Sequence, residues 1–183
     1  MLVHDYLLRS ERLGFRRWTP DDLPSAQLLW GDLAVTKFFG GPFPPVEIER
    51  RLRIELERNE RYGFQYWPIH RLTDGQFAGC CGLRPYLPEE KIPELGFHLR
   101  PAFWGQGLAG EAARRVIEYA FTSLNVAALS AGHHPDNVNS KKVLERIGFR
   151  YTRDEHFAAL GIEIPYYLLE RRAYESGKVK SGK

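Results

Sequence analysis

Residues 104–110 read Trp-Gly-Gln-Gly-Leu-Ala-Gly, and their setting gives them chemistry. Upstream, Leu95, Phe97 and Leu99 alternate with Glu94, Gly96 and His98, the period of a strand. Downstream, Leu108, Ala109, Ala112, Ala113, Val116, Ile117, Ala120 and Phe121 recur at the spacing of a buried helix face. A strand thus leads through residues 100–103 into a glycine loop that opens a helix. Small residues at a helix mouth let backbone amides approach an anion, and the helix end adds roughly half a positive charge. Gly105, Gln106, Gly107, Leu108, Ala109 and Gly110 are therefore predicted to bind a phosphate group.

The kind of phosphate follows from what surrounds the glycines. A P-loop ends in Gly-Lys-Ser/Thr, and Gly107, Leu108 and Ala109 supply neither the lysine nor the hydroxyl. Gly105, Gly107 and Gly110 match the dinucleotide fingerprint G-x-G-x-x-G letter for letter. That fingerprint should follow its strand directly and meet an acid at the end of the next strand. Here a proline-containing stretch intervenes, and the next strand, residues 126–131, runs into Gly132, His133 and His134. A third reading is a turn whose glycines only let the helix pack closely.

A second segment favours a different phosphate. After that next strand, Asp136 or Asn137 can cap a short helix whose Val143, Leu144 and Ile147 form an apolar face and whose end is Gly148. Strand, glycine loop and helix, strand, then an Asn137-x-x-Ser140 helix ending in Gly148 and Phe149 resembles the GNAT family of acetyl-CoA-dependent N-acetyltransferases. The opening Ser10, Glu11, Arg12, Leu13 through Trp18 and Asp22 is similar to the start of its RimJ/RimL-like branch, which includes ribosomal-protein N-terminal acetylases. The resemblance runs from about residue 8 to about residue 172. It departs from the family at the first loop position, which is Trp104, and at Leu144, where many relatives carry a tyrosine acid.

The resemblance implies acetyl-CoA as acyl donor and a primary amine as acceptor, either a protein N-terminus or a small molecule. It assigns the pyrophosphate to the loop amides and the pantetheine arm to the backbone of Phe97, His98 and Leu99. Asn137 would hydrogen-bond the pantetheine amides, and Ser140, the remaining hydroxyl on that helix, would lie near the sulfur. A second class stays open: a CoA- or nucleotide-binding module without turnover, used for sensing or assembly. Read from the residues alone, Asn137 also suffices as a helix cap, and Arg100, Lys141 and Lys142 are either phosphate contacts or a solvated face.

Acetyl transfer to an amine also needs a proton acceptor. Glu94 and His98 share one strand face across Gly96, leaving a slot bordered by two titratable groups. Either is a candidate base, directly or through water.

The elements that must position these groups follow from the punctuation. Residues 11–18 alternate as a first strand, and Thr19 with Pro20 starts a helix toward Trp30. Residues 46–61 form a charged helix with Ile48, Leu52 and Leu56 on one side, stopped at Gly63. Residues 64–72 and 76–83 flank an Asp74-Gly75 turn as a hairpin, residues 85–93 read as a loop, and residues 149–157 and 162–171 are closing strands. The order predicts a mixed α/β fold of the α+β type, one central mixed sheet flanked by helices on both faces.

With 183 residues, 43% of them apolar, the chain can bury one core, so residues 1–175 are predicted to be a single domain and 176–183 a disordered basic tail. A net charge of +3 is too small and dispersed to argue for nucleic acid. The absence of a long apolar run argues against a membrane span, and the composition predicts a cytoplasmic protein. The adjacent Cys80 and Cys81 have no metal-ligand spacing and read as buried strand residues; no metal is expected. Oligomeric state is not encoded legibly.

Overall fold

The computed structural model describes residues 5–178. Its strands are β1 (Leu8–Arg9), β2 (Leu13–Phe15), β3 (Tyr66–Arg71), β4 (Phe77–Leu87), β5 (Ile92–Leu99), β6 (Ala128–Gly132), β7 (Arg150–Phe157) and β8 (Ile162–Glu170). They form one eight-stranded sheet in the order β1-β2-β3-β4-β5-β6-β8-β7. Every neighbouring pair is antiparallel except β5 and β6. The helices are α1 (Leu23–Trp30), α2 (Leu33–Thr36), α3 (Pro45–Tyr62), α4 (Leu108–Thr122) and α5 (Val138–Arg146). This is the mixed sheet with helices on both faces that the element order predicts.

Strand alternation sorts the core into two clusters. Trp67, Cys81, Leu83 and Leu95 pack with α4 through Leu108, Ala112, Val116 and Ile117. Tyr66 and Cys80, one residue away on the same strands, pack with α1 and α3 through Leu29, Trp30, Ile48 and Leu52. The two cysteines are thus free, buried and on opposite faces, as their adjacency predicts.

Several boundaries differ from the sequence reading, each for a local reason. The expected strand over 11–18 is two short strands joined by a turn at residues 10–12. Beyond Phe15 the chain leaves the ladder, and Trp18 is held by its backbone N–H to Gln65 Oε1 at 2.8 Å and by its indole N–H to the Tyr66 carbonyl. The helix expected from Thr19 begins as a single 3₁₀ turn, Pro20–Asp22, and α1 starts afterwards because Pro24 sits in its own first turn. The expected loop over 85–93 is largely strand: β4 continues to Leu87 and β5 begins at Ile92, turned by residues 88–90. α3 ends at Gly63, whose φ of 73° and N–H to the Asn59 carbonyl form the expected C-terminal stop. Residues 176–178 of the expected tail lie in a helical turn that follows β8, while 179–183 lie outside the described residues.

Candidate active site between β5 and β6

β5 and β6 run parallel and register at Glu94↔Ser130. Beyond that pair they diverge, so the sheet opens toward the C-terminal ends of both strands, where open α/β sheets place ligands. On one side of the opening are Gly96, Phe97 and His98, with the glycine loop following β5 along the chain. On the other are Gly132, Asn137 and Ser140. A cavity of about 440 Å³ lies at its base, within the range of small-molecule sites.

The loop is shaped by backbone conformation. Gly105 and Gly107 have φ of 72° and 75°, a region that side chains with a Cβ seldom occupy. A Cβ on Gly105 would meet nothing within 4 Å, and one on Gly107 only the tip of Arg12 at 3.8 Å. The glycines therefore do not serve close helix packing, which removes the packing-turn reading. Gly110 is not in the loop: it lies within the first turn of α4, beside Arg114. The amides of Leu108, Ala109 and Gly110 have no intrahelical acceptor by their position, and Gly107 caps the helix without a side chain. Leu108 contributes only its backbone, because its side chain is in the core. Gln106 turns its amide back to the Ala102 carbonyl at 2.9 Å, and the Trp104 indole N–H donates to the Leu99 carbonyl at 2.7 Å.

The N-terminal hairpin braces this loop. Arg12 donates to the Gln106 carbonyl at 3.0 Å and to Glu111 Oε2 at 2.7 Å. Glu111 Oε1 accepts from the Ser10 hydroxyl and the Arg12 backbone, both at 2.7 Å. Burial pulls the Glu111 carboxyl upward, but the bonds from Ser10 and Arg12 outweigh it and hold its pKa below the ordinary glutamate value. Sequence reasoning gave these residues no role. Ser10 and Arg12 stood in the quoted opening motif, yet nothing local says that the motif folds onto a loop far along the chain.

α5 starts as expected, and Asn137 rather than Asp136 caps it: its Oδ1 accepts the Ser140 N–H at 3.1 Å. Capping uses the oxygen of the side-chain amide and does not engage its NH₂. Ser140 and Leu144 both line the cavity, the latter fully buried.

The two candidate bases are in unlike surroundings. Glu94 is buried; its Oε1 accepts from Arg84 at 2.6 Å and its Oε2 from the Tyr166 hydroxyl at 3.2 Å. His98 Nδ1 accepts the Trp30 indole N–H at 3.2 Å, and the ring sits 4.6 Å from that of Phe39. Burial, helped by the charges of Arg51 and Arg84, depresses the His98 pKa to about 3. The imidazole is therefore neutral near pH 7, with its proton on Nε2.

The slot expected across Gly96 is filled by a residue that the sequence did not single out. Tyr66, Gly82 and Gly96 are aligned across β3, β4 and β5. A side chain at 96 would collide with the Tyr66 hydroxyl, so the tyrosine ring occupies the space that Gly96 vacates. Burial raises the Tyr66 pKa above the usual tyrosine range and keeps the hydroxyl a neutral donor at the cavity floor. The signal was the pair of glycines, legible only once the strand register is known.

Among the described residues, no group of three or more His, Cys, Asp or Glu could hold a metal ion, and no helix is long and apolar enough to cross a membrane.

A family model described as an acetyltransferase (GNAT) domain matches residues 12–150. An uncharacterized N-acetyltransferase, p20 of Bacillus licheniformis, is 32% identical over 147 residues, 78% of this chain and 82% of that protein. The crystal structure of an acetyltransferase from Agrobacterium tumefaciens is similar with a TM-score of 0.78 at 26% identity, covering 90% of this chain and 94% of that one. RimL, a ribosomal-protein alpha-N-acetyltransferase solved with coenzyme A, shares the fold at a TM-score of 0.77 and 17% identity, covering 91% and 98%. With the opened sheet, the glycine loop and the capped α5 in the same order, these likenesses settle the family: the chain belongs to the GNAT acetyltransferases.

Proposed function

We propose that this acetyltransferase moves the acetyl group of acetyl-CoA directly onto a primary amine, with both substrates bound at once. The observation that carries the reading is convergence. The diverging edge of β5 and the start of α5 border one opening that leads to the cavity containing Glu94, and the glycine loop follows the end of β5 after a single 3₁₀ turn. Acetyl-CoA bound there would supply an acyl group activated as a thioester.

The amides of Leu108, Ala109 and Gly110, with the raised loop before them, suit a pyrophosphate, and the open space above Gly105 leaves room for it. The backbone of residues 97–99 has left the β6 ladder and can pair with the pantetheine arm. Asn137 would donate from its amide nitrogen while its oxygen stays on the cap. Ser140 would hydrogen-bond the leaving sulfur; a serine hydroxyl is a weak acid, so water shares the final protonation.

Of the two bases left open by the sequence, Glu94 suits the task. His98 is too weak a base at a pKa of about 3, and its free-base nitrogen already accepts from Trp30. Glu94 is an acceptor held by two donors at the cavity wall, able to take the ammonium proton directly or through a water. His98 then shapes the wall and presents an N–H.

Thermal melting checks the cofactor half of this reading. CoA at one hundred times its Kd should add about 2.7 kcal/mol by linkage, while NAD or ATP should add little. A shift with NAD and none with CoA would remove the assignment. Thiol release from acetyl-CoA with a panel of amines and short peptides checks the transfer half.

A further inference from the structure

The cavity wall opposite α5 carries more positive charge than its carboxylates cancel. α3 turns Arg51, Ile54, Glu55 and Arg58 toward the cavity, three and four residues apart and so on one helical face. Arg84 enters from β4. Each carboxylate inside the cavity is already committed. Glu55 accepts from Arg58 at 2.5 Å and from the Tyr66 N–H at 2.7 Å. Glu94 is held by Arg84 and Tyr166 as described.

Arg50 and Arg51 have one carboxylate between them. Arg50 takes both Glu47 oxygens in a two-bond fork, each at 2.7 Å. Arg51 Nε lies 3.1 Å from Glu47 Oε1 but out of line for a hydrogen bond. Its guanidinium rests on the Phe43 ring, 3.8 Å from the centroid, an arrangement that supports a cation without neutralising it. Among the described residues of this wall, the guanidiniums of Arg50, Arg51, Arg58 and Arg84 therefore face the carboxylates of Glu47, Glu55 and Glu94. Burial lifts the Glu55 pKa against the pull of Arg58, which can only enlarge the positive excess. Burial also opposes the Arg51 charge more than Glu47 supports it. Trp30, Phe39 and Phe157 add flat apolar surface beside the polar side chains of His98, His133, His134, Asn137 and Ser140.

We propose that the acceptor is a small amine that also carries a carboxylate, its anionic end seated on Arg51 and its amino end reaching Glu94. The proposal rests on the acetyl-transfer reading above and narrows its substrate class. A carboxylate fits because a guanidinium receives it through two parallel bonds, and because it supplies the one negative charge this wall lacks. A small molecule fits because the cavity, about 440 Å³, must hold the acetyl end of the donor as well.

Calorimetry on the full chain loaded with CoA tests it, using 4-(aminomethyl)benzoate and 4-(aminomethyl)benzamide. The two probes share their amine, ring and size and differ in charge at the far end. The benzoate should bind roughly tenfold more tightly, as expected for one charge-assisted contact. Arg51→Met should erase that preference while leaving the benzamide Kd unchanged, and Arg51→Lys should restore part of it. In turnover, kcat/KM for the two probes should show the same ratio. Equal binding of both probes, binding of neither, or equal loss of both in Arg51→Met overturns the proposal. Acetylation of a neutral peptide N-terminus in preference to the benzoate overturns it too. Failure of CoA itself to bind would instead strike the acetyl-transfer reading, and the probe preference of the CoA-free chain is then measured separately.

Discussion

On the glycine-loop side, the groups facing a ligand are main-chain amides, presented by two residues of positive φ and the first turn of α4. On the α3 side they are guanidiniums, carboxylates and rings contributed by α1, α3, β4, β5 and the segment near Phe157. The first surface has almost no side-chain identity and suits a group common to many enzymes. The second is all identity, and on the proposal above its charge balance is where discrimination between acceptors would reside. Main-chain amides keep their chemistry whatever the side chain, whereas a wall of arginines on one helix face can be retuned residue by residue.

The sharpest way to break the comparison is to damage one side and ask whether the other responds. Gly107→Val places a β-branched residue at a φ of 75°, and should weaken CoA binding by about a hundredfold while destabilising the fold by roughly 1–3 kcal/mol. Acceptor-probe binding by the CoA-free variant should be unchanged; a parallel loss there means that the sides are not separable. Ser140→Ala should lower kcat by about ten- to a hundredfold with little change in acetyl-CoA affinity, the mark of a contact made mainly in the transition state. Unaltered turnover with the best acceptor would leave the thiolate to water alone.

A smaller effect tests the brace. Arg12→Met removes the tie to the Gln106 carbonyl and one partner of Glu111, and should raise the Kd for CoA about tenfold without changing the KM of the acceptor. An equal rise in both would show that Arg12 holds the fold and not the loop. The smallest effect at neutral pH belongs to His98. Its folded-state pKa is lowered to about 3 from an ordinary 6.5, so between those values the unfolded chain binds a proton that the folded chain refuses. Stability should therefore rise with pH from about 3 to 6.5, by at most about 1.4 kcal/mol per unit from this group, and level off above. His98→Gln should flatten that window in denaturant titrations. It should also leave most of kcat/KM in place at neutral pH, whereas Glu94→Gln should lower it.

The same division decides what was legible in the sequence. The α4 helix, its loop and the Asn137 cap were read within a residue or two, because glycine, capping and periodicity are local signals. Gly110, included through the match to a loop fingerprint, lies in the first turn of the helix. The acceptor wall was illegible for the opposite reason. Arg51 and Arg58 look like the solvated face of a charged helix until α3 is laid against the sheet. Tyr66 and Gly96 belong to different strands, and only their register brings them together. His98 was readable as titratable, yet Trp30, whose indole N–H occupies its Nδ1, comes from the far end of another element.

The ring of Tyr66 lying in the space above Gly96 has a consequence for descent as well as for chemistry. A lineage that acquires a side chain at 96 must move or give up the ring at 66, which couples the two positions. Related chains should show the two positions varying together, with small residues at 66 wherever 96 is not glycine. A library that randomises 96 alone samples dead ends, while one that opens both positions enlarges the cavity floor and admits bulkier acceptors.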